Sequence, residues 1–391
     1  MPDFAVLHLC SWYPTPFRPE HGIFHQSHIR SASIYSKQVM VYVAFNDTVK
    51  DKKKHNYSDN NFHEYITILP KRKGFFLKSI NFFIWLKAYK DLIAEVKKNH
   101  PDIRMVHLHV VFPVGIIYLI FNEIKKLPLI ISEHWSGYYP EDGNYKGWFR
   151  IWITRQLFRK CKKVLVCSDK LGNRLMELKL AKKYTFMENV LPDYFIKDRI
   201  HSKKNNLLFH FLHVSSLTDR EKNISGMLNV FLKLKWKNRF DFMLTIIGGS
   251  DEVVEHYRNW VSSHGLENNI VFTGSILNHA LPSYYEKADA FVLFSHFESQ
   301  PVVVLEAWSM GVPVLCTPVG QLPEWMKPEF GACAQSGKEE DLLNLLINAP
   351  DIIKNSDANE MRRFIKENFS AAVVGKKLNK IYNELLTELS A

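Results

Sequence analysis

The chain has 391 residues, 46% apolar and 23% charged, which is the composition of a folded protein and excludes a disordered or collagen-like one. Its net charge of +11 is uneven: residues 1–200 carry 32 Lys and Arg against 18 Asp and Glu, a net of +14, whereas residues 201–391 carry 19 against 22, a net of −3. Five scattered cysteines without a C-x-x-C pair argue for a reduced compartment and against a structural zinc site.

In chain order, the start M-P-D-F-A-V-L-H-L-C lacks the basic head and long apolar stretch of a signal peptide. The apolar run at 4–9 is expected to be a buried strand, followed by a helix at 25–36 and a strand at 39–45. A helical pattern at 91–99 ends at Pro101-Asp102, before a strand at 105–109. The apolar stretch 105–121 contains His107, His109 and Pro113 and is too short for a membrane span. Strands follow at 129–132, ending at Glu133-His134, and at 164–167, after which Ser168 is placed to cap a helix. Alternation of this kind predicts a parallel sheet covered by helices.

The polar segment 197–206 has no periodicity and suits a linker. The alternation then restarts, with strands expected at 207–214, 242–247, 270–273, 290–294 and 314–316. The length allows each half its own core, so the domains are drawn as 1–200 and 201–371, with a last helix at 372–391.

The most informative stretch is A-F-V-L-F-S-H-F-E-S-Q-P-V-V-V-L-E-A-W-S-M-G-V-P-V-L-C-T, in which Glu298 and Glu306 stand eight positions apart. A short strand runs into a polar loop, Pro301 suits a helix start, and Gly311 and Pro313 end the helix before the next strand. One carboxylate thus falls in the loop and the other inside the helix. Ligands of open parallel sheets bind at the carboxyl ends of the strands, beside helix N-termini that attract anions. A carboxylate accepts hydrogen bonds from sugar hydroxyls, so a phosphorylated sugar would use both halves of the arrangement.

This stretch, with the downstream P-V-G-Q-L-P-E that ends at Glu324, resembles the E-x7-E signature of the retaining glycosyltransferases of family 4 (the group 1 type). The resemblance implies an α/β protein of the GT-B fold, two Rossmann-like domains facing each other across a cleft, with the last helix crossing back to the first domain. It implies that Glu306 meets the donor ribose, that Glu298 lies against the transferred sugar, and that backbone N–H groups around Gln300, Pro301, Val302 and Val303 meet the phosphates. Lys222, in H-V-S-S-L-T-D-R-E-K-N, matches the family's diphosphate-binding lysine. The family's partner arginine is absent, because Ser216 stands in its place, and Arg220 is the candidate substitute. Gly248 and Gly249 resemble the strand-end glycines near the nucleotide base, and Gly22 resembles the glycine of the first loop. His134 matches a histidine that faces the donor sugar; His109 and Arg155 are weaker candidates.

The implied reaction moves a hexosyl unit from a nucleotide diphosphate sugar, UDP- or GDP-linked, to a glycan or lipid-linked glycan, without a cofactor or metal. The chain has no D-x-D and no His, Cys, Asp or Glu cluster with metal spacing. The segments 71–87 and 148–163 mix cations with large apolar side chains, which with the cationic first half points to an anionic membrane surface and a cytoplasmic, peripheral location. Two alternatives carry different expectations. One is a catalytically silent partner that keeps the sugar-nucleotide site. The other is a nucleic-acid binder, which has only the charge in its favour and no recognised motif.

Overall fold

The computed structural model describes residues 4–19, 21–72, 74, 77–196 and 208–390. The segment 197–206, expected to be the linker, lies outside the described residues. Two compact units emerge, one of Met1–Val190 with Ala371–Ala391 and one of Leu191–Ser370. The first unit ends somewhat before the boundary drawn at 200, because Leu191 and Phe195 are buried in the core of the second.

The first unit is built on an eight-stranded sheet: β1 (Ala5–Cys10), β2 (Lys37–Asn46), β3 (Lys53–Asp59), β4 (Phe62–Pro70), β5 (Ile103–His109), β6 (Leu129–Glu133), β7 (Lys163–Val166) and β8 (Thr185–Phe186). The spatial order is β3-β4-β2-β1-β5-β6-β7-β8. Every neighbouring pair is parallel except β3 with β4. The central strands are buried on both faces, which is why they read as continuous apolar runs.

The β3–β4 hairpin was not among the expected elements. Strand β3, K-K-H-N-Y-S-D, is exposed throughout and covers the sheet edge with polar side chains, so it lacks the alternation that marks a half-buried strand. The helix Leu77–Asn99 also begins well before the expected 91; Trp85, Tyr89, Leu92, Ile93 and Val96 form its buried stripe. The last helix, Ala371–Ser390, belongs to this first unit. Its Val374, Leu378, Tyr382 and Leu385 pack with Phe4, Val6, Met105, Ile130 and Leu165. Gly375 permits a close crossing, since a Cβ there would run into the Ser31 carbonyl oxygen.

The second unit holds six strands: β9 (Phe209–Val214), β10 (Phe242–Ile247), β11 (Ile270–Gly274), β12 (Ala290–Leu293), β13 (Val314–Cys316) and β14 (Gly331–Cys333). They are all parallel, in the order β11-β10-β9-β12-β13-β14. Numbered within the unit this is 3-2-1-4-5-6, the dinucleotide-binding order, whose direction reverses between the first and fourth strands. That reversal falls between β9 and β12 and fixes where a ligand crevice opens. No helix among the described residues is long and apolar enough to cross a membrane.

Candidate active site

The loops that follow β9 and β12 meet at the reversal point. After β9 the chain passes Leu217, held at φ +57°, and makes a short helix, Asp219–Lys222, before Asn223 turns it at φ +51° into the helix Ile224–Lys237. After β12 the loop carries Glu298 and Gln300 to Pro301, which stands at the N-cap, and the helix Val302–Ser309 begins. A backbone bond from the His296 N–H to the Glu221 carbonyl, 2.8 Å, ties the two loops together. Across that seam the Lys222 ammonium donates to the Glu298 carboxylate. The same carboxylate accepts from the Ser295 hydroxyl at 3.0 Å.

Glu306 sits one turn into the helix and is buried. The Tyr285 hydroxyl lies 2.8 Å from its Oε2 and 3.1 Å from the Val303 carbonyl, so Tyr285 locks the carboxyl against the helix start. Burial raises the Glu306 pKa to about 7, and the bond from Tyr285 offsets only part of that rise. The N–H groups at 302 and 303 open the helix, where no intrahelical carbonyl can receive them. This end of the sheet therefore offers one cation, helix N–H groups for an anion, and two carboxylates for hydroxyl groups.

Glycines close the walls. Gly248 has φ +114°, and a Cβ on it would collide with the Ser215 carbonyl oxygen; Gly249, at φ +77°, lies against Leu217. Gly320, at φ +60°, likewise leaves no room for a Cβ beside the Ser299 carbonyl oxygen and so packs the loop after β13 onto the one that carries Glu298. Ser216 bonds to the Thr218 hydroxyl at 3.0 Å. Arg220 lies with its guanidinium 5.8 Å from the centre of the Phe297 ring. Tyr285 and Ser295 were not singled out in the sequence. Nothing in their spacing announces that they hold the two glutamates.

In the first unit, His134 follows β6 and His109 ends β5. Ring centres of His25 and His134 are 5.1 Å apart, as are those of His25 and His109. Burial, followed by the charges of neighbouring histidines, keeps His25 and His109 well below the ordinary histidine range; burial and His28 do the same for His134. Glu133, buried between the Val111 N–H at 2.9 Å and the Tyr138 hydroxyl at 3.0 Å, is raised by burial to about 7. Gly22, at φ +74°, makes its close approach to the backbone of Trp12 and Tyr13. Arg155 is exposed on the helix Trp148–Lys160. Sequence spacing gave no metal cluster, yet the fold gathers His8, His107 and His109, and also His25, His109 and His134, into groups of metal-ligand reach.

Comparison with known proteins agrees with the fold. The sucrose-phosphate synthase structure from Thermosynechococcus elongatus superposes with a TM-score of 0.74 at 15% identity, covering 98% of this chain and 99% of that one. Anabaena HepE in complex with UDP-glucose superposes with a TM-score of 0.68 at 14% identity, covering 97% and 99%. These likenesses establish the GT-B fold, an α/β protein of two domains.

The family model for Glycosyl transferases group 1 matches residues 196–370, and that for Glycosyltransferase Family 4 matches residues 38–189. The chain belongs to this family of glycosyltransferases. Among its relatives is TuaC of Bacillus subtilis, a glycosyltransferase assigned to teichuronic acid biosynthesis, 24% identical over 362 residues that cover 86% of this chain and 84% of TuaC.

Proposed function

We propose that this chain is a retaining hexosyltransferase that takes its sugar from a UDP- or GDP-linked donor, without a metal, and passes it to a glycan or lipid-linked glycan in cell-surface polysaccharide or glycoconjugate assembly. The observation that carries this reading is the Lys222–Glu298 pair at the reversal point of the second sheet, with Glu306 held by Tyr285 in the helix that follows Glu298. Lys222 and the N–H groups at 302 and 303 take the diphosphate and offset the charge that grows as it departs. Glu306 receives the ribose hydroxyls and Glu298 those of the transferred sugar, with His134 on the acceptor side. The acceptor proton passes to the departing phosphate oxygen on the same face, so the reaction needs no separate general base. TuaC's assignment to teichuronic acid and HepE's complex with UDP-glucose support the acceptor class and the donor type.

An anionic membrane surface at the cytoplasmic face is part of the same reading. The helix Trp148–Lys160 buries Ile153, Leu157 and Phe158 but leaves Trp148 81% and Trp152 50% exposed, beside arginines and lysines. Apolar rings among cations fit a lipid headgroup layer.

The second reading, a silent partner that binds the donor without transferring, is favoured by Ser216 in place of the family's arginine. Calorimetric titration with UDP and GDP in metal-free buffer tests the site. Micromolar binding of one nucleotide, weakened by about 1–3 kcal/mol in Glu306→Ala, supports it; no binding of either counts against it. Donor binding with no transfer to any lipid-linked acceptor would favour the silent partner.

A further inference from the structure

The first unit holds a convergence of histidines of which the proposed transfer uses only His134. His25 lies in the first turn of the helix Ile23–Ser33, His109 ends β5, and His134 follows β6. One ring nitrogen from each lies within 4.8 Å of those of the other two. His25 is fully buried and neither of its ring nitrogens has a hydrogen-bond partner. Nδ1 of His109 and Nδ1 of His134 have none either. Unpartnered buried polar atoms are costly, and several facing one another call for an occupant.

Hydrogen bonding fixes the proton on His109. The Gln38 amide nitrogen donates to the carbonyl and hydroxyl oxygens of Ser36, at 2.9 and 2.8 Å. Its Oε1 is therefore the acceptor facing His8 Nε2 at 2.7 Å, and His8 must carry its proton there. A neutral His8 then has a lone pair on Nδ1, to which His109 Nε2 donates at 2.9 Å. The chain of bonds leaves a bare lone pair on His109 Nδ1, aimed at no donor. The neighbouring group of His8, His107 and His109 differs in this respect. Both nitrogens of His8 are engaged, and those of His107 lie 2.9 Å from the Tyr382 hydroxyl and 2.8 Å from that of Ser132.

We propose that His25, His109 and His134 form a binding site for a divalent transition-metal ion, of which Zn²⁺ is the best match. Three neutral imidazoles with a fourth position open make a common zinc arrangement. Nitrogen ligands select Zn²⁺, Cu²⁺ or Ni²⁺ over Mg²⁺ and Ca²⁺, which take oxygen. The bond from His109 through His8 to Gln38 is the outer support that orients a ligating histidine. Metal–nitrogen bonds of about 2.0–2.1 Å would draw the three rings inward from a spacing of up to 4.8 Å. An ion here would pin the start of the helix Ile23–Ser33 to the ends of β5 and β6. Of the three ligands, only His134 is also placed on the acceptor side of the proposed transfer.

The test is a Co²⁺ titration of the full-length, chelator-stripped chain, followed by visible absorption and then by displacement with Zn²⁺. One equivalent of Co²⁺ with the strong absorption bands of four-coordinate cobalt, lost on adding one equivalent of Zn²⁺, is the expected result. His25→Ala removes the bands. Gln38→Leu, which frees the tautomer of His8, weakens binding by about 10- to 100-fold, as outer-support changes do. His100→Ala removes a buried histidine that is bonded to Tyr65 and lies outside both groups, and it leaves binding unchanged. A wild-type chain that takes up no stoichiometric Co²⁺ overturns the proposal, and so does His25→Ala binding as tightly as wild type. Buried water would then be what partners these nitrogens.

Discussion

Lys222 and Glu298, 76 residues apart in sequence, are joined by an ion pair that bridges the loops after β9 and β12. Both side chains are largely buried, at 19% and 13% exposure, so each is the other's main compensation for leaving water. The pair also holds the proposed diphosphate-binding cation beside the carboxylate proposed to meet the sugar. A donor must then share Lys222 with Glu298 and not recruit it from solvent.

The pair's coupling is measurable. Lys222→Met leaves Glu298 with the Ser295 hydroxyl but without its countercharge, and stability should drop by about 1–3 kcal/mol. Adding Glu298→Gln removes the uncompensated charge and should restore part of that loss, giving a coupling of about 0.5–3 kcal/mol. Urea unfolding midpoints of the four forms read it. Lys222→Met should also lower transfer by about 100-fold or more, because charge on the leaving diphosphate goes unmatched. An additive cycle with unchanged transfer would remove the pair from the site.

Gly248 tests whether close approach, and not conformation alone, shapes the wall of the site. Gly248→Ala places a methyl group into the Ser215 carbonyl as well as adopting φ +114°. Gly265→Ala meets nothing within 4 Å at φ +63°. Gly265→Ala should cost about 1–2 kcal/mol, the ordinary penalty of a left-handed residue. Gly248→Ala should cost about 3 kcal/mol or more, since strain and overpacking add. Equal losses by thermal unfolding would show that the Ser215 loop yields freely.

Membrane attachment through the helix Trp148–Lys160 predicts a separation of binding from folding. Trp148→Ser with Trp152→Ser should leave the melting temperature nearly unchanged, because both rings are at least half exposed. Cosedimentation with anionic vesicles should fall by about tenfold or more, since partial burial of two indole rings is worth at least ~1.4 kcal/mol. Neutral vesicles should bind poorly in either case. Unchanged cosedimentation of the variant would assign the rings another role.

The parts of the fold that rest on buried apolar runs were legible in the sequence, because β1, β5, β6, β9 and β12 are largely enclosed on both faces and need no partner to be recognised. The β3–β4 hairpin was not, since a polar edge strand such as β3 differs little from a loop until its ladder is seen. The motif around Glu298 and Glu306 pointed to both carboxylates, but not to Tyr285 and Ser295, whose hydroxyls reach them only after the sheet brings distant loops together. The same limit hid the histidine cluster. His25, His109 and His134 lie on three separate elements, and no local spacing records a site of that kind.

Glu306 supplies the pH prediction. Its pKa stands near 7 in the folded chain against 4.5 for the ordinary group, with burial as the cause. A folded-state pKa raised above the unfolded one means that folding takes up a proton between the two values. The associated stability is therefore fully present below pH 4.5, is lost as pH rises from 4.5 through 7, and is gone above that. The span corresponds to about 3 kcal/mol. Glu306→Gln keeps the shape and an acceptor for the Tyr285 hydroxyl but does not ionise, so it should match wild type near pH 4.5 and be the more stable form at pH 8. Urea midpoints at the two pH values measure this, and a constant difference between the proteins would contradict it. Ribose hydroxyls donate best to the ionised carboxylate. Nucleotide affinity in wild type should therefore rise as pH passes 7 and that of Glu306→Gln should stay flat, a contrast that calorimetry at pH 6 and pH 8 would resolve.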